Sequence, residues 1–258
     1  MKTLTFLMIL LSLSAFAQDS IPTFKKAKLT LKVETIVGID TFGTSYYVTN
    51  NVLYKKTEDK VINYNNLQLG ELTSVNIYNP LKIILFYKDF NTAIILDNRL
   101  SEIIRIDFNS LQPYKNVSYA SLGNDSTIWI FNLDNQQLEL YDYKAKTVRA
   151  TTIPVVSNTL SLTSNYNYVW LLTEKFIYKY SYFGSLLYKI KNDGFTKLKE
   201  RNDDIILQKE NGLYFLNDKT QEIAPIALPT LLINQFLVTG ETVYIYDSKI
   251  LHEFQLKN

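Results

Sequence analysis

The chain has no cysteine among its 258 residues. That excludes a disulfide scaffold, thiolate metal sites, a cysteine nucleophile and a diacylglyceryl-cysteine lipid anchor. A single histidine, His252, rules out a multi-histidine zinc or iron centre within one chain. Glycine is scarce too: the eight present are scattered, with neither Walker nor Rossmann spacing, so no loop is built to cradle phosphate. An excess of one charge is also missing. Lys plus Arg number 27 and Asp plus Glu 25, and a net charge of +2 gives no electrostatic case for nucleic acid as partner. After the first residues, no apolar run reaches the roughly 20 residues that a membrane-spanning helix needs.

What is present begins with an address. Lys2 supplies a positive start, residues 4–13 form an almost wholly apolar run, and Ala15-Phe16-Ala17 places small residues where an A-x-A cleavage site requires them. Residues 1–17 therefore read as a secretory signal peptide. Cleavage leaves 241 residues from Gln18, and residues 18–258 are expected to form a single domain. Export to a periplasm, or association with an outer membrane, follows from that signal.

The remainder reads as strands. Runs of five to nine residues rich in Ile, Val, Leu, Tyr, Phe and Thr recur, separated by Asn, Asp, Gly and Lys. Asn211-Gly212 is the sharpest hairpin signal, because both residues adopt positive φ cheaply; Asp193-Gly194 and Phe183-Gly184 mark further turns. The most apolar strand of each cluster starts at Ser45, Ile83, Thr127, Tyr168, Ile205 and Val243, at intervals of 38, 44, 41, 37 and 38 residues. Each start is followed by a turn, an aromatic-bearing strand, a turn and a third strand, and is preceded by a shorter strand. Four strands per roughly 40 residues is the signature of a propeller blade. The last unit, from Gln235, supplies three strands only. Residues 28–34 (KLTLKVE) precede the first unit with strict apolar alternation at Leu29, Leu31 and Val33. The expectation is an all-β propeller of six four-stranded blades, closed by strand 28–34 pairing into the last blade.

Residues 79–107 and 127–140, which hold blade-forming strands, resemble a family of largely uncharacterised exported propeller-like proteins of Bacteroidota. The resemblance covers most of the chain after the signal. It implies fold and compartment, and a role beside outer-membrane or secretion machinery, without implying a catalytic residue.

Candidate chemistry is thin. Alternation in KILHEFQLK places His252 with Phe254 and Leu256 on one face, so it reads as a packing residue rather than a general base. No GxSxG elbow exposes a serine. Asp89, Asp97, Asp134, Glu174, Asp203, Asp204 and Asp247 lie mostly at turns, where carboxylates serve local side-chain-to-backbone bonds. Asn202-Asp203-Asp204 and residues 132–135 offer oxygens without EF-hand spacing, so solvated turns outrank a calcium site. Asn116-Val117-Ser118 and Asn124-Asp125-Ser126 match the N-glycosylation pattern, and Asp125-Ser126-Thr127 a short O-glycosylation motif; a turn accounts for them equally well. No catalytic, cofactor-binding or metal residue is assigned.

Aromatics are the remaining unusual feature, with 19 Tyr and 14 Phe against 2 Trp. Most are expected between blades. Alternation within residues 178–182 (YKYSY) and 141–143 (YDY) puts some on the opposite face of their strands, as candidates for a partner surface. The sequence thus predicts an exported non-enzymatic binding or scaffold protein acting through protein contacts in the cell envelope. The alternative is a carbohydrate-directed protein, either a lectin-like module or a carboxylate-based hydrolase or lyase.

Overall fold

The computed structural model describes residues 20–257, so the signal segment expected at 1–17 lies outside the described residues. The chain forms six four-stranded antiparallel sheets arranged as a propeller. Blade 1 comprises β2 (Thr35–Ile39), β3 (Ser45–Thr49), β4 (Val52–Lys56) and β5 (Val61–Tyr64). Blade 2 holds β6 (Ser74–Asn76), β7 (Ile83–Tyr87), β8 (Thr92–Leu96) and β9 (Glu102–Asp107). Blade 3 runs from β10 (Val117–Leu122) through β11 (Thr127–Asn132) and β12 (Gln137–Asp142) to β13 (Thr147–Thr151). Blade 4 follows with β14 (Thr159–Ser164), β15 (Tyr168–Thr173), β16 (Phe176–Ser181) and β17 (Leu186–Lys191). Blade 5 is β18 (Lys197–Arg201), β19 (Asp204–Lys209), β20 (Gly212–Leu216) and β21 (Ile223–Pro225). Blade 6 takes β22 (Gln235–Thr239), β23 (Thr242–Tyr246) and β24 (Ile250–Leu256) from the end of the chain, and β1 (Thr23–Thr30) from its beginning.

The first strand of each blade lies innermost. Its neighbours across the ring are the first strands of adjacent blades, as β10 meets β14 and β22 meets β2. Turns between first and second strands therefore all lie at one end of the ring, here called the upper face. Turns between second and third strands lie at the lower face.

Each blade is sandwiched between two others, which decides what its middle strands are made of. β7, β8 and β11 are buried at every position, with no polar-out alternation. The apolar core accordingly divides into six clusters, one at each blade boundary. That between blades 2 and 3 gathers Phe86, Ile95, Phe108, Ile128 and Tyr141 among others. Those between blades 1 and 2, 3 and 4, 4 and 5, and 5 and 6 are built alike. The boundary between blades 6 and 1 is the smallest, with only Ile36, Leu237, Tyr246 and Leu251 fully buried.

Polar bonds reinforce that weak boundary. Gln235 Oε1 accepts from the Ile36 amide at 2.8 Å and its Nε2 donates to the Glu34 carbonyl at 2.8 Å. Thr239 donates to the Ile39 carbonyl at 2.5 Å. The Tyr246 hydroxyl accepts from the Val33 amide at 3.1 Å and faces the carbonyls of Val33 at 2.9 Å and Leu31 at 3.1 Å.

β1 closes the ring against β24, with Phe24 opposite Gln255, Leu29 opposite Leu251 and Thr30 opposite Ile250. Closure by the first strand thus matches the sequence reading, but its limits do not. The ladder ends at Thr30, where residues 28–34 had been expected to form it. An outer edge strand is exposed on both faces, so apolar alternation does not mark it. Leu29 is exposed, whereas Leu31 and Val33 lie beyond the strand and pack at the boundary between blades 6 and 1. Their alternation marks the segment that crosses from rim to axis. Upstream, Ile21 bridges to Ile226 of blade 5, so the start of the described chain stitches blades 5 and 6 together.

One turn is also displaced. Lys209 pairs with Gly212, which makes Glu210-Asn211 the two-residue loop, and Glu210 carries the positive φ of 51°. Gly212 serves close packing instead: a Cβ there would lie 3.1 Å from the Tyr214 ring.

Replacing Tyr246 with Phe removes one hydroxyl from the boundary poorest in apolar burial and leaves the Val33 amide without its partner. It is expected to cost about 1–3 kcal/mol in urea unfolding. An unchanged midpoint would show that the hydroxyl does not hold the closure.

Candidate binding site at the upper mouth of the channel

Two of the innermost strands, Ser74–Asn76 and Thr159–Ser164, are rich in Ser, Thr and Asn, which suits strands whose inner edge borders the axis rather than another sheet. At the upper face this axis widens into a cavity of about 400 Å³, lined by the ends of innermost strands and the turns that follow them. Gly38 lets the wall close up, since a Cβ there would stand 2.4 Å from Ile77 Cδ1 of blade 2.

Asp40 Oδ1 accepts from the Phe42 and Thr44 amides, both at 2.9 Å, and fixes a turn that projects Phe42 outward at 90% exposure. Asn76 and Asn79 hold the next turn by accepting from the Tyr78 and Leu81 amides at 3.1 and 2.9 Å. Leu81 is 65% exposed. Tyr78 of blade 2 meets Tyr166 of blade 4 edge to face, with ring centroids 5.4 Å apart. Burial, together with Glu200, Tyr166 and Asp203, pushes the Tyr78 phenol up to about 12.

Below this rim the wall is bonded across blades. Asn76 donates to Ser121 at 3.1 Å, Ser121 and Ser164 share a hydrogen bond of 2.7 Å, and Ser164 donates to the Leu122 carbonyl at 2.5 Å. Asn165 donates to Glu200 at 3.1 Å and to Asp203 at 2.6 Å. Burial raises the Glu200 pKa, with Asp203 and Asp204 adding to the rise against the bonds from the Asp203 amide and Asn165. Arg201 Nε donates to the Gly240 carbonyl at 2.8 Å. The carboxylates at the mouth are thus bonded within the wall.

The residues singled out in the sequence are dispersed. Asp89, Asp134, Glu174 and Asp247 belong to turns at the lower face. Asp97 lies in an outer turn, accepting from the Arg99 and Ser101 amides at 2.8 Å. Asn202 and Asp203 form a two-residue turn with φ of 50° and 70°, and Asp204 accepts from the Asp218 amide at 2.8 Å. No cluster of three or more His, Cys, Asp or Glu residues suited to a metal ion occurs among the described residues. Residues 123–127 wrap around the buried Lys82 ammonium, which donates to the carbonyls of Gly123, Asp125 and Thr127 at 3.1, 2.8 and 2.6 Å. Thr127 is wholly buried. The motif there is a turn locked to blade 2.

The tyrosine clusters proposed as a partner surface are not one. Tyr141, Tyr143, Tyr178 and Tyr180 are buried, and Tyr182 is half-buried against the core between blades 3 and 4. Both faces of a third strand meet a neighbouring blade, so alternation directs successive side chains into two different cores. Lys179 between them is buried as well. Its ammonium lies 3.7 Å from the Tyr168 ring centroid and 5.0 Å from that of Trp170, and pairs with Asp218 at 2.6 Å. That aromatic cage is filled by the chain's own cation. The exposed rim of Phe42, Tyr78, Leu81 and Tyr166 escaped notice because its aromatics sit one to a turn among polar residues. A signal existed: an aromatic in the turn after the first strand of three of the six units, at Phe42, Tyr78 and Tyr166.

His252 packs on Phe254 with ring centroids 6.4 Å apart, and its Nε2 lies 3.0 Å from Asp247 Oδ2. It is 6% exposed, in the outer hairpin of blade 6, away from the mouth. The packing reading holds.

No protein-family model matches the sequence, and no curated protein matches it. Solved structures resemble the fold at low identity. Virginiamycin B lyase from Staphylococcus aureus is 13% identical with a TM-score of 0.61, over 85% of this chain and 79% of that one. BamB from Moraxella catarrhalis is 10% identical with a TM-score of 0.56, over 90% and 99%. The WD40 domain of Neurospora crassa Pan2 is 8% identical with a TM-score of 0.59, over 88% and 75%. At such identities the likeness establishes the propeller fold and nothing finer.

Acid should unmake the outer turns before the cores. The bond from His252, with the Ile250 and Lys249 amides, holds Asp247 at about 2, below its ordinary 3.8. Asp142 also stands at about 2, where bonds from the Ala145 and Lys144 amides, Ser126 and Arg149 overcome the opposing effect of burial. The unfolded chain takes up these protons first, so the stabilisation is complete above the unfolded value and is lost as pH falls towards 2. Urea midpoints should decline through that window, and less steeply in Asp247→Asn. Identical slopes in both proteins would contradict the assignment.

Proposed function

We propose that this protein is an exported, non-catalytic binding scaffold that docks a protein of the cell envelope on its upper face. The observation that carries the reading is a rim of exposed side chains from three blades: Phe42 and Tyr78 line one concave mouth, Tyr166 packs on Tyr78, and Leu81 projects from the same turn as Tyr78. Rigid aromatics with part of their surface already packed lose little freedom on binding, which suits them as anchors. Non-catalytic action is supported by the placement of the wall's polar groups. Asp40, Asn76 and Asn165 each hold backbone or neighbouring side chains in position, as a structural wall requires. In virginiamycin B lyase from Staphylococcus aureus, a histidine-to-alanine variant is catalytically inactive. Here the single histidine is buried in the outer hairpin of blade 6. The export signal at residues 1–17 and the resemblance to exported propeller-like proteins of Bacteroidota support the envelope as the setting.

A glycan-directed role is the second reading. It is favoured by Glu200 and Asp203, which share Asn165 beside the rim tyrosines, with Glu200 held above the ordinary carboxylate range.

The test is a triple substitution, Phe42→Ser, Tyr78→Ser and Tyr166→Ser, in tagged protein recovered from envelope fractions. Because the three side chains face solvent, stability should fall by no more than about 1 kcal/mol. A partner identified by mass spectrometry with the wild type should then bind the purified triple variant at least about tenfold more weakly. Undiminished binding would move the interface elsewhere. Turnover of a glycan that is abolished by Glu200→Gln would instead favour the second reading.

A further inference from the structure

Only one of the six innermost strands carries charge. β2, β6, β10, β14 and β22 read TIVGI, SVN, VSYASL, TLSLTS and QFLVT, whereas β18 reads KLKER. Alternation along β18 sends Leu198 and Glu200 towards blade 4, where Leu198 joins the apolar cluster and Glu200 accepts from Asn165. Lys197, Lys199 and Arg201 take the opposite side, towards blade 6 and the axis. The outer two of these three are bonded there: Lys197 Nζ donates to the Asn234 carbonyl at 3.3 Å, and Arg201 Nε to the Gly240 carbonyl at 2.8 Å.

Lys199, between them, differs. It lines the channel cavity and is exposed to solvent, and no hydrogen bond or ion pair engages its side chain among the described residues. The wall around it strips water from the ammonium and Lys197 repels it, and both effects lower its pKa. In a narrow lumen its field is focused along the axis rather than screened at an open surface.

We propose that the central channel is an oxyanion site in which Lys199 supplies the charge, taking a carboxylate or phosphate group against the polar wall that includes Asn76 and Thr163. An anion entering from the upper mouth gives Lys199 the partner that Lys197 and Arg201 already have, while the Asp40 and Glu200 carboxylates of the same lining are held by bonds from the Phe42 and Thr44 amides and from Asn165. The site is independent of the docking rim, since it depends on different residues and is read out without a partner protein.

Thermal unfolding of the wild type and of Lys199→Met, each titrated with inorganic phosphate or with acetate against chloride at equal ionic strength, tests this directly. The two anions separate phosphate from carboxylate as the preferred ligand. Phosphate also stabilises proteins generally by exclusion from their surfaces, but that effect does not saturate and is shared by both proteins. The wild type should show a saturable rise of about 2–4 °C with at least one anion. Lys199→Met should lack it, with an anion-free midpoint equal to or above that of the wild type, because an uncompensated charge has been removed. Lys199→Arg, which keeps the charge, should retain the response and guards against a misfolded Met variant. Equal responses in wild type and Lys199→Met, no response of the wild type to either anion, or a lowered anion-free midpoint in Lys199→Met would overturn the proposal.

Discussion

Burial between blades is the constraint from which the rest of this molecule follows. No single blade can cover its own faces, so each depends on a neighbour on either side, and the apolar core is distributed over six boundaries. Five of these are broad clusters of aliphatic and aromatic side chains. The sixth, between blades 6 and 1, has four fully buried apolar residues and substitutes polar bonds from Gln235, Thr239 and Tyr246. A chain folding into consecutive blades makes the five broad boundaries between units adjacent in sequence. Only the last demands that the two ends of the chain meet, and there the specificity of hydrogen bonds replaces area.

The same constraint explains which parts of the fold were legible. Strands buried on both faces are nearly continuous apolar runs, and their starts at Ser45, Ile83, Thr127 and Tyr168 coincide with the structural ones. The starts of β19 and β23 lie one residue before Ile205 and Val243. Blade number and closure by the first strand followed from that spacing. The closing strand itself was misplaced because an edge strand has no buried face to impose a pattern. Leu31 and Val33 gave the strongest alternation nearby but belong to the inward crossing. Likewise Asn211-Gly212 announced a hairpin, but Gly212 already pairs with Lys209 and the two-residue loop is Glu210-Asn211.

The candidate site was less legible, for a related reason. Clusters such as YKYSY attract attention in a sequence, yet the rings of Tyr178, Tyr180 and Tyr182 alternate with Lys179 and Ser181 and so share one face, which packs into the core between blades 3 and 4. Between blades there is no wet face. Exposed aromatics instead occur one at a time in turns whose Asp and Asn residues bond the backbone and hold them outward, as Asp40 does for Phe42. Their convergence from three blades is a property of the ring and cannot be read from local sequence. Lys199 illustrates the same point from the opposite side. KLKER resembles an ordinary solvated strand until the ring places it on the axis, where Lys199 lines the cavity.

The register of β1 against β24 tests the account most directly, and the absence of native cysteine makes it easy to measure. Ala27 and Glu253 are direct partners in that ladder. A pair of cysteines at these two positions should close an intramolecular disulfide under mild oxidation, because paired strands hold Cα atoms within the roughly 4.4–6.8 Å that the bond requires. It should also raise the unfolding midpoint by constraining nearly the whole chain as one loop. Failure to cross-link, or linkage only between separate chains, would contradict a ring fastened by its own first strand.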